Sequence, residues 1–504
     1  MTALAERLPD RLPRSWRADR WRVRHVLLAL VGLHILVKAV LYFRVWQTPY
    51  VGDETAYVDG ARALSNLVRD LGSLQSPDLS ELRDNVVGSG WFMPGMSLLT
   101  APLFLVVPDA GVELVRAYVG VASTALLLLA ALSLRRLLGP VAAGAVLVFP
   151  GLVPMWLIFS FTAWGDACAG LLVVVLLAET IALVRHAVIG RAPTLRDGVR
   201  IGLLGIGALY LRSSIQPLLL VLALLLVLAV VLLLSGEDRR RGLLSAAAAA
   251  AVFAGLLLPW SLAASAALDG RVVTTTSTPT SLANTFGDKE LVCFGPCDPD
   301  ASIWFGPVRY ARETARATGR SELDVLPQMS AYARTDVTAA SYSADVLSDF
   351  GRYTMAPFGY EYLLRPPGTD ADVTAGLVIG GTSLLYYPLL LALLTLLLRP
   401  LRGSLDLRLR VVLLELATLG LMIHPFVHVA STRYWPTFAP LMALAGVLLV
   451  KARASGPTDA AVDASPRAQA LSRFLGRLQV AIAGGVLLLL GSLVSLALLD
   501  LTAR

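Results

Sequence analysis

Two carboxylates stand side by side at Asp53 and Glu54, in the stretch "YVGDETAYVDGARAL" that follows a hydrophobic segment. Tyr57 lies four residues after Asp53, so the two share a face if the stretch is helical. A carboxylate held at a membrane surface can take the proton of a hydroxyl, which is general-base chemistry. The same residues also make an ordinary helix start, because acidic side chains suit the first turn. Asp166 in "FSFTAWGDACAG" poses the same choice. It stands at the end of another apolar run among aromatics, where an ionisable residue is costly unless exposed or paired. As an aspartate it can also satisfy free amides at a helix start.

Cations come next. Arg212 in "GALYLRSSIQP" and Arg433, followed by Tyr434, in "HVASTRYWPTFAP" are isolated arginines at the edges of apolar runs. Arginine suits phosphate, so the pair points to a bound anion. Snorkelling toward lipid headgroups is the competing explanation. His424 and His428 in "HPFVH" are four apart, a spacing that allows a metal pair but lacks a nearby carboxylate to complete it. Packing or hydrogen bonding accounts for them better, and His428 is the one expected to reach a site. Cys293 and Cys297 in "CFGPC" can close a small loop as a disulfide in an oxidising compartment, although spacing alone does not fix the geometry. Cys168 lies in an apolar run, and no zinc-like spacing of cysteine with histidine occurs.

The elements that must position these residues are membrane helices. The chain of 504 residues is 56% hydrophobic and 16% charged, against about 25% charged in ordinary soluble domains. Its mean hydropathy is +0.68. Apolar windows fall at about 25–46, 114–134, 141–160, 167–185, 200–212, 213–235, 243–261, 374–398, 410–428, 434–451 and 478–499. The first reads as an anchor rather than a cleaved signal, since it ends in Lys38, Tyr42, Arg44 and Trp46 without a small-residue cleavage site. The net charge of +7 does not indicate nucleic acid. Its arginines crowd into short connectors such as "RADRWRVR", "RRR" at 239–241 and "RPLRGSLDLRLR", as in cytoplasmic loops under the positive-inside rule. The expectation is an all-α polytopic protein of the cell (inner) membrane. It has about eleven transmembrane helices, an inside N-terminus and an outside C-terminus.

Two windows need special treatment. Residues 93–108 are short, apolar and proline-rich, and are expected to lie along the outer surface. Residues 200–212 are expected to form a short, glycine-rich broken helix, tolerated at depth where it lines a cavity. The organisation that follows is a basic cytoplasmic N-terminus over 1–24 and a transmembrane module over 25–261, with an outer loop at 47–113. An extracytoplasmic α or α/β subdomain follows over 262–373. Helices over 374–451, a cytoplasmic linker over 452–477 and a last helix over 478–504 complete it. Within the linker, 452–468 is flexible by composition.

In order, spacing and membrane side, these features resemble the GT-C membrane glycosyltransferases. They look most like the bacterial branch related to protein O-mannosyltransferases and lipid A aminoarabinose transferase. The resemblance is carried by "DETAY", "GWFMPGMSLLTAPLFLV", "RAYVGVASTALLLLAALSLRRLLG", "TAWGDACAGLLVVVLLA", "GIGALYLRSSIQPLLL", "LLLPWSLAASAALDG" and "STRYWPTFAPLMALAG", across about residues 25–450. It implies a polyprenyl-phosphate-linked sugar as donor and a glycan, lipid or protein acceptor outside the cytoplasm. It implies Asp53 as the catalytic carboxylate, with Glu54 beside it and Asp166 at the same cavity. Arg212 and Arg433 would then hold the donor phosphate, with Tyr57, His428 and Tyr434 as further contacts. A divalent metal held by Asp53 and Asp166 is the one cofactor left open. The chain departs from the family where "KPP" or "HPP" becomes "FMPG" and "PW…RN" becomes "PWSLAAS", which puts metal and donor-head contacts at those positions in doubt. Two other classes remain. A flippase for lipid-linked glycan would explain the outer arginines, but it predicts paired broken helices in corresponding halves. A receptor-like assembly protein gives Asp53 and Asp166 no role.

Overall fold

A computed structural model describes residues 14–300, 304–358, 363, 371–401, 403–428, 432–454 and 466–503. The first part of the basic N-terminus and most of the 452–468 linker lie outside the described residues. Among the described residues the chain is helical throughout, without strands. Eight of their helices are long and apolar enough to cross a membrane, among them Val112–Leu137, Asp166–Val188 and Gly236–Ala267. The subdomain expected over 262–373 is built of helices alone among the described residues. They are Thr278–Phe286, Phe305–Thr318, Glu322–Ala333 and Ala339–Met355, with a 3-10 turn at Lys289–Leu291.

The other three apolar windows are carried by shorter pieces. Window 141–160 divides into Pro140–Val148 and Pro154–Phe159. Pro150 and Pro154 lack the amide that a continuing helix needs, which stops one helix and starts the next. Window 434–451 begins as a 3-10 turn at Thr432–Thr437 and continues as Ala439–Ala454. Window 200–212 sits in an unbroken helix, Leu195–Leu211, which opens on a reciprocal cap between Thr194 and Asp197. The expected break is therefore displaced. It falls at Arg212, which is extended (φ −154°, ψ 110°), ahead of a 3-10 turn at Ser213–Ile215 and the Gln216–Leu233 helix.

The centre of the molecule is the Asp166–Val188 helix, most of whose residues are buried. Trp156, Phe149, Tyr386, Trp435 and Phe438 pack in the same core. Residues 47–113 supply the Glu54–Gly72 helix, whose buried residues Glu54, Tyr57, Val58, Ala61 and Ser65 recur at helical spacing. Against that face lies Gly95–Val106, the proline-bearing segment expected at the surface. Ser97 Oγ donates to the Tyr57 carbonyl at 2.9 Å and Ser65 Oγ to the Ala101 carbonyl at 2.8 Å. The subdomain is tied to the membrane helices by Tyr386 Oη, which donates to the Thr354 carbonyl at 2.7 Å, and by Tyr342 Oη, which donates to the Phe426 carbonyl at 2.8 Å.

Candidate functional site

Asp53 takes the position before the Glu54–Gly72 helix, yet its side chain caps no helix amide. It pairs instead with Arg433, which arrives on the 432–437 turn from 380 residues away. Asp166 repeats the arrangement. Gly165 holds the capping position and Asp166 the first turn of its helix. Its carboxylate lies 3.1 Å from Arg212 Nε. Both acids thus sit where the helix dipole favours negative charge, and both direct that charge at an arginine outside the α-helices, Arg212 on extended backbone and Arg433 in a 3-10 turn.

Tyr434 joins the two pairs. The Arg212 guanidinium carbon stands 3.9 Å from its ring centroid and that of Arg433 5.2 Å. Arg433 also lies 4.9 Å from the Trp164 ring. These are cation–π distances. His424 and His428 stack with centroids 4.8 Å apart, and His424 meets Tyr434 edge-on at 5.3 Å. Burial would pull the Arg433 guanidinium down, but Asp53, then Tyr434 and Asp166, hold it well above its ordinary value, so it stays charged. Burial, with Asp53 next, raises the Tyr57 hydroxyl, which therefore remains a protonated donor.

A cavity of about 630 Å³ opens here. Asp53, Tyr57, Arg212, His428, Arg433 and Tyr434 all line it, so six expected site residues converge on one space. Asp166 stands behind Arg212, 2% exposed. Glu54 is placed elsewhere. It is fully buried, paired with Arg116 at 3.2 Å, and accepts from the Ala163 and Val51 amides at 2.8 and 3.0 Å. Arg116 in turn donates to the Thr48 and Pro49 carbonyls, each at 2.9 Å. Glu54 therefore fastens the turn that presents Asp53. Glu54, expected beside Asp53 at the catalytic site, is thus not among the residues that line the cavity.

Sequence reasoning missed Arg352, which lines the cavity from the last turn of the Ala339–Met355 helix. One arginine in a charged amphipathic helix carries no local mark of function. Trp164, Ser213, Ser214 and Gln216 were likewise unmarked lining residues. With the two acid–arginine pairs neutral, Arg352 gives the described lining of the cavity an excess positive charge. The cavity can therefore receive an anion and hold a base beside it.

Among the described residues no group of three or more His, Cys, Asp or Glu is placed to hold a metal. Asp53 and Asp166 each face a guanidinium, which repels a cation, so this donor set does not fit a divalent metal. Cys293 and Cys297 form a disulfide with Cα atoms 5.1 Å apart, outside the cavity lining, and Cys168 is buried and free. No family model matches the chain, and no curated protein or solved structure matches it either.

Proposed function

We propose that the chain is a membrane glycosyltransferase. It moves a sugar from a polyprenyl-phosphate donor to an acceptor hydroxyl on the extracytoplasmic side of the cell membrane. The observation that carries this reading is the convergence of Asp53–Arg433 and Asp166–Arg212 across Tyr434 in one cavity. In this reading the chain crosses the membrane about eleven times with its N-terminus inside. That places the cavity outside, beyond the reach of cytoplasmic nucleotide sugars, so the activated sugar must arrive on a lipid.

The arginines bind the donor phosphate and neutralise the charge that grows on it as it leaves. Arg433 has two claims on it, from Asp53 and from the phosphate. When the phosphate takes Arg433, Asp53 is released to accept a proton. The acceptor oxygen then attacks the anomeric carbon while its proton passes to Asp53. The bond from that carbon to the phosphate oxygen breaks, and the lipid phosphate leaves with the electron pair. One displacement inverts the anomeric centre. Tyr57 donates a hydrogen bond in the cavity, Asp166 holds Arg212 in place, and His428 and Tyr434 shape the donor side.

The test gives purified protein a panel of polyprenyl-phosphate sugars and measures release of polyprenyl phosphate. We expect turnover that falls at least about a hundredfold in Asp53→Asn, the scale of losing a positioned base. Unchanged turnover in that variant would remove Asp53 from the mechanism. Binding without turnover for every donor would favour a flippase for lipid-linked glycan.

A further inference from the structure

Two further cavities adjoin the one at Asp53 in turn. A second cavity of about 390 Å³ shares Tyr57, Trp91, Phe92 and Phe305 with the first. A third, of about 580 Å³, shares Asp84 and Gly88 with the second. The three form a series, from Asp53 to the groove between residues 83–88 and the Phe305–Thr318 helix.

Its lining changes along the way. The shared wall is aromatic, with Tyr57 and Phe92 centroids 5.3 Å apart and Trp91 and Phe305 6.1 Å apart. The indole nitrogen of Trp91 is a buried donor without a hydrogen-bond partner among the described residues. The middle adds the acceptors Asp59, Asp84 and Asn85. The outer cavity mixes Arg83, Arg316 and Arg320 with Asp269 and Glu322. A lipid tail would meet carboxylates and guanidinium groups here, which its hydrocarbon cannot satisfy. A peptide that binds by adding a strand finds no sheet edge here, since the described residues contain no strand. A sugar ring has apolar faces and a rim of hydroxyls, which matches aromatic walls interleaved with polar acceptors and donors.

We propose that the acceptor is an oligosaccharide chain lying along these three cavities, with its terminal sugar passing Trp91 to bring a hydroxyl to Asp53. This rests on the transferase reading above and names its acceptor class. The outer cavities hold the older part of the chain, and the aromatic wall grips the sugar next to the reacting one.

Photoreactive benzoylphenylalanine placed at Asn85 or Arg316 tests the assignment. Both side chains are exposed on the cavity lining, and Leu74, 95% exposed and lining none of the three cavities, is the control position. The full chain is irradiated in its native membrane and purified, and its adducts are analysed for monosaccharides, peptide and lipid. Sugar-bearing adducts are expected from Asn85 and Arg316 and not from Leu74. Trp91→Ala in the same chains is expected to reduce them about tenfold, the loss of one aromatic contact. Peptide or lipid adducts at these positions, or none, overturn the proposal. Release of polyprenyl phosphate from the donor panel is measured on the same preparations. Sugar adducts without donor turnover would remove the transferase reading, and with it the acceptor role, while leaving an oligosaccharide in the cavities. Donor turnover with peptide or lipid adducts, or none, would count against the oligosaccharide alone.

Discussion

Asp53 turns toward Arg433 and Glu54 turns toward Arg116, although the two acids are adjacent. Successive positions at a helix start point in different directions, so one of them can face a cavity while the other enters the core. Their substitutions should separate accordingly. Each side chain of the Glu54–Arg116 pair is 1% exposed. Glu54→Gln strands a buried guanidinium, at a cost of about 3–5 kcal/mol. We expect its thermal unfolding in detergent to fall well below that of Asp53→Asn, whose pair borders an open cavity. Equal unfolding temperatures would take the positioning role from Glu54. The sequence marked Asp53, Asp166, Arg212 and Arg433 one at a time, because an ionisable residue at the edge of an apolar run is conspicuous wherever it occurs. Their pairing was not legible, since Asp53 meets a partner 380 residues away. The fate of Glu54 was hidden for the same reason, because Arg116 belongs to a helix that reaches it only in the folded chain.

Helix ends, more than helix middles, build the site. Arg212 follows the end of Leu195–Leu211, Asp166 opens the next helix inward, and Gly165 lies between Asp166 and the Leu211 backbone. A Cβ at Gly165 would strike the Leu211 carbonyl, whereas one at Gly207 on the same helix would make an ordinary 3.4 Å contact with Leu172. Gly165→Ala must push Leu211 away and carry Arg212 off Asp166. We expect it to cost about 1–3 kcal/mol in stability and to lower donor turnover with it. Gly207→Ala should keep turnover and gain up to about 1 kcal/mol from helix propensity. If both variants behave alike in unfolding and turnover assays, the close approach at Gly165 does not position the arginine. Apolar length and arginine spacing located the helices but not their interruptions. In the run from 195 to 233 the polar residues Arg212, Ser213, Ser214 and Gln216 and the following Pro217 separate two apolar windows, but residue type alone did not show that the first window is an unbroken helix and that the break falls at the extended Arg212. Pro150 and Pro154 were the readable exception in principle, because proline states its backbone demand in the sequence itself.

The whole molecule raises the question of sides. Eight of the described helices are long enough to cross a membrane, and about eleven crossings are needed to put every arginine-rich connector inside. The difference rests on three windows whose helices are short or divided, where length cannot decide. The disulfide bears on it independently. Cys293 and Cys297 are joined within the segment that the proposed topology places outside, and bonds of that kind persist in oxidising compartments. Cys168 is 2% exposed in the central helix and serves as an internal control. Intact cells treated with a membrane-impermeant maleimide should leave all three cysteines unlabelled. After a brief impermeant reductant, the same reagent should label Cys293 and Cys297 and still spare Cys168, read as two added masses on the peptide that contains both. Labelling of this peptide without reductant would mean that the bond does not form in the cell. If it resists labelling after reduction in intact cells but takes label once the membrane is opened, the 262–373 segment is cytoplasmic. The cavity it helps to wall would then face nucleotide sugars, and the argument for a lipid-linked donor would fail.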